Sequence, residues 1–495
     1  MAGRTTYLSK SRIISAWQCP KKLYLEKYRA ELAVVSAQTQ SLFATGHQVG
    51  KIAQELFGTA DAVEIPFGRI RAMLQETQTL IDGNASFPIF EASFQYQGVF
   101  VRVDALLPDH GGWRAIEVKA STSVKDYHVL DCAIQDWVMR GLGLPVTAIS
   151  LAHIDNQFVY AGHNDYDGLL VEVDLTDEVR TVEPAVETLV SRARDAVSGA
   201  MPDVPVGAHC NKPYECPFTN FCWPAGAEYP IAGLGGSKAR LGDYVALGHT
   251  DIRDVDPASI SADTQRRIHR VTQSGEAEIL DGARCILSAL PYPRYYLDFE
   301  TIAPAVPFWR GTRPYAAVPV QWSCHIDNGQ CDGVHADMQH EEFLDLSGEP
   351  PMRALAERLI KCLGDEGPVV MYTNYEERVI NGLIELFPDL EGPLQDIVDR
   401  LIDLHPIVKD NYYHPKMLGS WSIKAVLPTI APHMDYAMLA GIKEGTGASD
   451  GFIEAISSLT TQEHRDELEE QLLRYCKFDT EAMAEIVRFF CLAEV

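Results

Sequence analysis

The sequence predicts an α/β protein made of three consecutive parts. Its 495 residues correspond to about three domains of ordinary size. Runs in which apolar and polar residues alternate, such as FEASFQYQGVFVRVDALL, predict strands, and they lie between segments of helical periodicity, such as HVLDCAIQDWVMRGL. The composition, with 46% hydrophobic and 22% charged residues, is typical of a globular chain and excludes a mainly disordered or fibrous one.

Changes of pattern divide the chain at two places. Residues 1–235 begin with helices, continue with the strand-like runs and close with three cysteines in HCNKPYECPFTNFCW. The Gly- and Pro-rich stretch 224–237 is predicted as a linker. Residues 236–290 are predicted as a helical spacer that could grip DNA, and 291–495 as a domain that starts with the strand RYYLDFET and ends with a long helix over 462–492.

The charge distribution bears on the partners that the chain can have. A net charge of −27 argues against broad, nonspecific binding of polyanions. The first 60 residues nevertheless hold eight basic and only three acidic residues, so a local surface there could face a phosphate backbone. There is no apolar run of about 20 residues and no apolar segment of a signal peptide near the start. We therefore expect a cytoplasmic protein with no membrane partner.

The segment VFVRVDALLPDHGGWRAIEVKAS predicts a hairpin that gathers polar groups on one face. Two alternating runs flank the turn sequence PDHGG, and a symmetric hairpin around it places Asp104 opposite Glu117. Glu117 and Lys119 share one face of their strand because side chains alternate. Two carboxylates can hold Mg²⁺ or Mn²⁺, which activates water and neutralises charge on a phosphoryl group. A surface salt bridge is the alternative interpretation.

This pattern resembles the PD-(D/E)XK nucleases of the RecB type. The resemblance implies a restriction-endonuclease-like fold, with Asp104 and Glu117 as metal ligands and Lys119 as the catalytic lysine. Gln135, in AIQDWVM, matches the glutamine on the helix that follows the hairpin. Glu91, in FEASF, is a further candidate near the metal.

Four cysteines form a split group, one near the start and three within thirteen residues: Cys19, Cys210, Cys216 and Cys222. The intervals of five residues are too wide for a simple CxxC zinc knuckle. The layout resembles that of the iron–sulfur cluster in RecB-type nucleases, including CRISPR adaptation nucleases and the bacterial AddB subunit. The resemblance implies a structural 4Fe–4S cluster held by four thiolates, and zinc is the alternative.

A second group of acids is predicted in the last part of the chain. Asp298 and Glu300 leave the same face of the strand RYYLDFET. Tyr475 and Asp479 are four residues apart, which puts them on one face of a helix. With a further acid from the segment VVMYTNYEERVI, four carboxylates could hold two divalent ions about 4 Å apart, and the tyrosine could orient the attacking water.

The order of these elements resembles the DEDD exonucleases, which have an RNase H-like fold and include the DnaQ-type proofreading enzymes. By this resemblance, the strand of Asp298 carries the first motif. The final helix, which holds the tyrosine, carries the last motif. The second motif matches best at Asn374–Glu376, where glutamate replaces the usual aspartate. Glu377 is a rival for that position, and Asp403 is a further candidate ligand.

Taken over its whole length, the chain resembles a family of bacterial fused nucleases that joins a RecB-type nuclease to a DEDD-like domain. The resemblance implies a metal-dependent enzyme that cleaves single-stranded or frayed DNA and removes nucleotides in the 3′ to 5′ direction, in repair or defence. The sequence contains no Walker A motif, so unwinding would require a separate helicase. Two alternatives stay open: a nucleic-acid-binding scaffold with one or both sites inactive, and an exonuclease directed at RNA.

Overall fold

The computed structural model describes residues 7–35, 37–329, 338–439 and 441–492. The chain is a mixed α/β protein, as predicted, and it divides into two compact units. Unit 1 consists of Met1–Trp223, Lys238–Gly242 and Ala305–Tyr315, and unit 2 consists of Pro224–Ser237, Asp243–Pro304 and Ala316–Val495. Most of the predicted helical spacer therefore belongs to unit 2.

Unit 1 contains seven strands and eight helices in its described residues. In chain order these are β1 (Leu8–Ser9), α1 (Lys10–Gln18), α2 (Pro20–Tyr28), α3 (Ala37–Phe57), β2 (Val63–Glu64), α4 (Ile70–Asp82), β3 (Ile89–Tyr96), β4 (Val99–Asp109), β5 (Gly112–Lys119), α5 (Asp126–Gly141), β6 (Val146–Ile154), β7 (Leu170–Asp174), α6 (Thr176–Val182), α7 (Val186–Ala196) and α8 (Thr219–Cys222).

The strands of unit 1 form one mixed sheet in the order β2-β3-β4-β5-β6-β7, with β1 paired to β4. The β3–β4 and β4–β5 pairs are antiparallel, whereas β6 runs parallel to β5 because α5 returns the chain between them. Apolar side chains of α1 and α5, such as Ile13 and Ile134, pack against buried strand residues such as Val101. Burial of each large aliphatic side chain stabilises the unit by about 1.5–3 kcal/mol.

A short segment from later in the chain completes unit 1. Ala305 and Val306 are buried in a small apolar cluster of this unit whose other members are Val49, Ile52, Ile154 and Leu169. The backbone is paired as well, because Tyr160 N donates to Thr312 O over 3.0 Å and Gly311 N donates to Tyr160 O over 2.9 Å. The first unit is therefore not continuous in sequence, which no local pattern indicated.

Unit 2 contains seven strands and ten helices in its described residues, counting α9, whose first half lies in unit 1. They are α9 (Lys238–Ala246), α10 (Asp263–Ser274), β8 (Glu278–Ile279), α11 (Asp281–Ser288), β9 (Arg294–Ile302), β10 (Val318–Asp327), β11 (Gln339–Leu344), α12 (Met352–Leu363), β12 (Val369–Met371), α13 (Tyr375–Leu386), α14 (Glu391–Val398), β13 (Leu401–Asp403), α15 (Leu404–Asn411), β14 (Tyr412–Tyr413), α16 (Ile423–Ile430), α17 (Gly445–Ala455) and α18 (Gln462–Leu492).

The main sheet of unit 2 has the order β11-β10-β9-β12-β13. Its first three strands are antiparallel neighbours, and β12 and β13 run parallel to β9. The central strand β9 is RYYLDFETI, and its apolar residues are buried because the sheet is covered by helices that include α18. The predicted final helix is confirmed with its bounds, Gln462–Leu492.

The stretch 224–237, predicted as a linker, is packed into unit 2. Ile231 and Leu234 are fully buried, and Pro230 forms an isolated bridge with Asp251. Its glycines and prolines gave no information on burial. Among the described residues, none of the helices combines the length and the apolar character needed to cross a membrane.

Candidate functional sites

The hairpin of β4 and β5 has the register that its turn sequence predicted. Asp109 pairs with Gly112 and Ala105 pairs with Ile116, so the next position brings Asp104 beside Glu117. The turn requires a left-handed residue, and Gly111 supplies it with φ of 82°. Asp104 is fixed by its Oδ2 atom, which accepts a hydrogen bond from the backbone N of the residue after Glu117 over 2.7 Å.

Glu117 is the centre of what we call the hairpin site, formed by Asp104, Glu117, Lys119 and Gln135. The Glu117 side chain is only 3% exposed. Its Oε1 atom accepts a hydrogen bond from Lys119 Nζ over 2.6 Å, and its Oε2 atom accepts one from Gln135 Nε2 over 2.5 Å. The four residues selected from the sequence are therefore brought together.

Two residues of this site were missed in the sequence. Lys10 Nζ donates to Glu117 Oε1 over 2.7 Å and lies 3.4 Å from Asp131 Oδ2, and Lys119 Nζ also donates to that Asp131 oxygen over 2.7 Å. Asp131 precedes Gln135 by one helical turn of α5, a spacing that could have indicated it. Lys10 is near the site because β1 pairs with β4, and this long-range pairing has no local signal.

The two carboxyl groups of the hairpin site, Asp104 and Glu117, have pKa values shifted in opposite directions. Burial opposes ionisation of Glu117, but Lys10 and Lys119 overcome it and hold the pKa of that carboxyl well below its usual range. Burial, reinforced by the charge of Glu117, raises the pKa of Asp104 to about 7. Asp104 is therefore the acid of this pair that still carries a proton near neutrality, and a cation beside it would displace that proton. Glu91 is turned toward Arg102, with its Oε2 atom 3.1 Å from the guanidinium.

The four cysteines, called here the cysteine group, line one small cavity of unit 1. Cys19 separates α1 from α2, because Pro20 lacks the N–H needed to continue α1 and starts a new helix instead. Gln18 joins the two parts of the group, since its Nε2 atom donates to His209 O over 2.8 Å and to Tyr214 O over 2.7 Å. Burial raises the pKa of the Cys216 thiol to about 11, so a metal would have to displace its proton.

The second set of predicted acids, called here the acidic site, consists of Asp298, Glu300, Glu376 and Asp479. Asp298 and Glu300 point to one face of β9, where they lie opposite Ser323 and Gln321 of β10. Asp479 comes from α18, which packs against both strands. Its carboxylate accepts hydrogen bonds from the hydroxyl groups of Tyr436 and Tyr475.

The choice between Glu376 and Glu377 follows from their orientation on α13. Glu376 is 3% exposed, and its Oε2 atom has no hydrogen-bond partner, whereas Glu377 is partly exposed. Asp403 serves the turn that precedes this helix, because its Oδ1 atom accepts from Thr373 N over 3.1 Å and from His405 N over 2.9 Å. Thr373 has φ of 92°, a strained value for a β-branched residue, and this hydrogen bond stabilises it.

The carboxyl groups of the acidic site raise one another's pKa. Burial, and then repulsion by the neighbouring acids, raises the pKa of Asp298 and of Glu300 well above the usual range. For Glu376 burial raises the pKa to about 8. Burial raises the pKa of Asp479 only to about 6, because hydrogen bonds from the two tyrosines and the charge of Lys424 oppose the effect. Such a set of acids is stabilised by a cation between them.

Sequence reasoning missed three neighbours of the acidic site: Tyr436, Lys424 and Cys476. The Lys424 Nζ atom lies 5.0 Å from the ring centre of Tyr436 and 5.3 Å from that of Tyr475. Tyr436 and Lys424 are far from the other site residues in sequence and carry no motif. Cys476 directly follows Tyr475, so its place in the motif could have indicated it.

We expect the metal-free protein to lose stability as the pH rises from about 6.5 to 8. Below that range the opposite effect of His128 and His340 enters, because burial lowers the pKa of each to about 4. Asp479, Asp104 and Glu376 have pKa values of about 6, 7 and 8 in the folded chain, above those of ordinary carboxyl groups. The folded state therefore holds protons that the unfolded chain releases, so stability falls as these protons are lost. Thermal unfolding in EDTA at several pH values measures this, and excess Mg²⁺ should reverse it. A midpoint in EDTA that rises across this range would contradict the prediction.

Comparisons with known proteins give one family match. Residues 295–422 match the model described as "Domain of unknown function (DUF2779)", a range that contains Asp298, Glu300 and Glu376. No curated protein matches the chain. Among solved structures, the chain is similar to the protein SSO0001 at 14% identity, over 45% of this chain and 88% of that one, with a TM-score of 0.23.

Proposed function

We propose that the chain is a metal-dependent nuclease with two separate sites for phosphodiester hydrolysis. One observation carries the proposal: each compact unit gathers buried carboxylates from distant segments and sets a lysine or a tyrosine against them. Buried acids without cations are costly, so such groups are uncommon unless they bind or react.

The arrangement of unit 1 supports a PD-(D/E)XK nuclease domain. Helix α4, the antiparallel strands β3, β4 and β5, helix α5 and the parallel strand β6 follow one another as in the core of that fold. The motif residues of the hairpin site lie on β4, β5 and α5, where the resemblance requires them.

The arrangement of unit 2 supports an RNase H-like exonuclease domain. The antiparallel strands β9, β10 and β11 are followed in the chain by β12 and β13, which run parallel to β9 and are reached through helices. This is the strand order of an RNase H-like sheet. The acids lie on the central strand, on the first turn of α13 and on the last helix, in agreement with the three motifs of a DEDD exonuclease.

The donor sets of both sites fit hard divalent cations, since they consist mainly of carboxylate oxygens. When bound, Mg²⁺ or Mn²⁺ would activate a water molecule and neutralise charge on the phosphoryl oxygens. In the hairpin site Asp104 and Glu117 would hold the ion, and Lys119 would orient the water or stabilise the developing anion. In the acidic site the unpartnered Glu376 oxygen is free to serve as a ligand, and Tyr475 would position the water for attack.

The cysteine group fits a 4Fe–4S cluster better than a zinc ion. Tetrahedral zinc with Zn–S bonds of about 2.3 Å would require sulfurs about 3.8 Å apart. Among the described residues, the group of three or more ligand atoms within 4.8 Å of one another consists of Asp298, Glu300 and Cys476, so no three of the four sulfurs are that close. A cluster of four irons and four sulfides holds its thiolates farther apart and would join Cys19 to the segment 210–222.

The surface of α10 supports a nucleic-acid substrate. Arg266, Arg267, Arg270 and His269 line an open groove of about 870 Å³ in unit 2. The three guanidinium groups form ion pairs with Asp263 and Glu278, and phosphate oxygens would compete with these carboxylates for them. We propose single-stranded DNA as the substrate, as the resemblance to RecB-type nucleases implies.

Incubation of labelled single-stranded DNA and RNA with the purified chain, in Mn²⁺ or in EDTA, tests the proposal. We expect DNA cleavage in Mn²⁺ and none in EDTA. Degradation of RNA alone would assign the acidic site to RNA. Tight binding without cleavage of either polymer would support the scaffold alternative and overturn the proposal.

Replacement of Cys216 by serine should destabilise unit 1 by roughly 4 kcal/mol or more, the effect of losing a structural metal centre. Anaerobically prepared wild-type protein should be brown and contain iron, and the variant should be pale. Cys285→Ser is the matched control, since that thiol is exposed and lies in unit 2. Stoichiometric zinc without iron in the wild-type protein would overturn the cluster assignment.

A further inference from the structure

A cysteine thiol lies among the carboxylates of the acidic site. Cys476, on α18, is completely buried. Its Sγ atom donates to Asp298 Oδ2 over 3.5 Å and lies 3.7 Å from the Asp298 carbonyl oxygen. One ligand atom from each of Asp298, Glu300 and Cys476 lies within 4.8 Å of the other two. A thiol at this position places a sulfur donor beside two oxygen donors.

A second observation indicates that this cluster receives a ligand. Glu376 is more than nine-tenths buried and carries an oxygen without a hydrogen-bond partner. Its charge acts on Asp298 and on Glu300, so it lies near both carboxyl groups. Three carboxylates and one thiol therefore converge on a region where one of the oxygens has no partner in the protein.

The combination of donors discriminates between metals. Magnesium prefers six oxygen ligands and holds several as water, whereas thiolates select softer ions such as zinc. In a tetrahedral zinc site the metal–oxygen and metal–sulfur bonds are about 2.0–2.3 Å, so donor atoms lie about 3.3–3.8 Å apart. Donors already within 4.8 Å of one another need to approach by no more than about 1.5 Å to reach that spacing.

We propose that Asp298, Glu300 and Cys476 bind a zinc-class transition ion in which the cysteine sulfur is a direct ligand. The inference rests on the proposed function of the acidic site as a metal site and adds the identity of one of its metals. On binding, the S–H bond is broken, the proton passes to solvent and the sulfur forms the bond to the metal. Cys476 would then be the residue that makes this position prefer zinc or cobalt to magnesium.

Cobalt is the probe that reports a bond to sulfur directly, because a cobalt–thiolate bond gives a charge-transfer absorption that carboxylates do not. The full chain, with its cysteine group loaded with iron, is titrated with Co²⁺ in the absence of substrate. The same titration is carried out with Cys476→Ser, with Cys476→Ala, and with Asp298→Asn combined with Glu300→Gln. Cys324→Ser is the matched control, since Cys324 is also a buried thiol of unit 2 but lies outside the acidic group.

We expect the cobalt–sulfur band in the wild type and in the Cys324 variant, and its loss in both Cys476 variants and in the double variant. Zinc affinity, measured by competition with Co²⁺, should fall about 10-fold or more in Cys476→Ser, whereas Mg²⁺ affinity should change much less.

Two results would overturn the inference in distinguishable ways. If Co²⁺ and Zn²⁺ bind the wild type and Cys476→Ser equally, and the double variant lacks one of the binding sites for these ions, the carboxylates alone hold the metal, and the proposed function stands without a sulfur ligand. If the wild type and the double variant show the same binding of Mg²⁺, Mn²⁺ and Zn²⁺, the acidic site holds no metal, and the proposed exonuclease function fails together with the inference.

Discussion

Lys119→Ala is expected to reduce cleavage by the hairpin site by at least about 100-fold while the chain stays folded. The catalytic loss follows from the lysine's position, 2.6 Å from Glu117, where it would contact the attacking water or the developing anion. The fold should persist because Lys10 remains bonded to Glu117 and close to Asp131, so neither buried carboxylate loses its last cation.

Cleavage has to be measured where the acidic site cannot contribute, so each variant is combined with Asp298→Asn. Arg192→Ala is the matched control, because Arg192 is an exposed basic residue on α7 of unit 1, outside the basic first 60 residues. Undiminished cleavage by the combined Lys119 variant would remove the hairpin site from the proposal. A double variant of Lys119 and Lys10 should instead lose stability, because it leaves buried carboxylates without a partner.

The second large effect is expected for Asp479→Ala, which should reduce degradation from the 3′ end by at least about 100-fold. The change removes a proposed metal ligand and the acceptor of both tyrosine hydroxyls. In the wild type, Mn²⁺ should raise the midpoint of thermal unfolding because it relieves repulsion among the buried acids. The variant should lose the part of this increase that comes from the acidic site, which separates loss of metal binding from loss of folding.

Neighbouring variants refine the assignment within the acidic site. Tyr475→Phe should lower turnover with little effect on substrate binding, since the lost hydroxyl acts mainly in the transition state. Glu376→Ala should be severe and Glu377→Ala mild, because only the first of these adjacent side chains is buried toward the other acids. These assays are made in a Lys119→Ala background. Equal, undiminished activity of Asp479→Ala and Tyr475→Phe would mean that unit 2 is not the exonuclease.

The parts of the sites that could be predicted were those fixed by local geometry. A turn sequence sets the register that pairs Asp104 with Glu117, and strand alternation puts Asp298 and Glu300 on one face. Resemblance to known motifs added Gln135, which the structure bonds to Glu117.

What could not be predicted depends on pairing between distant segments. Lys10 reaches its site through the pairing of β1 with β4, and Tyr436 and Lys424 reach theirs through the packing of loops and helices around α18. Adjacent side chains on a helix point about 100° apart, so only one of Glu376 and Glu377 can face the other acids. Which one does so depends on how α13 is rotated about its axis, and the sequence does not determine that rotation.

The return of residues 305–315 to unit 1 bears on how this protein can be dissected. A chain cut after residue 235 contains both the hairpin site and the cysteine group, yet it lacks Ala305 and Val306. Val49, Ile52 and Leu169 would then expose apolar surface to water, and such fragments would associate with one another through that surface. Unit 1 therefore cannot be isolated as a prefix of the sequence, and a usable fragment has to carry this later segment as a graft or as an added peptide.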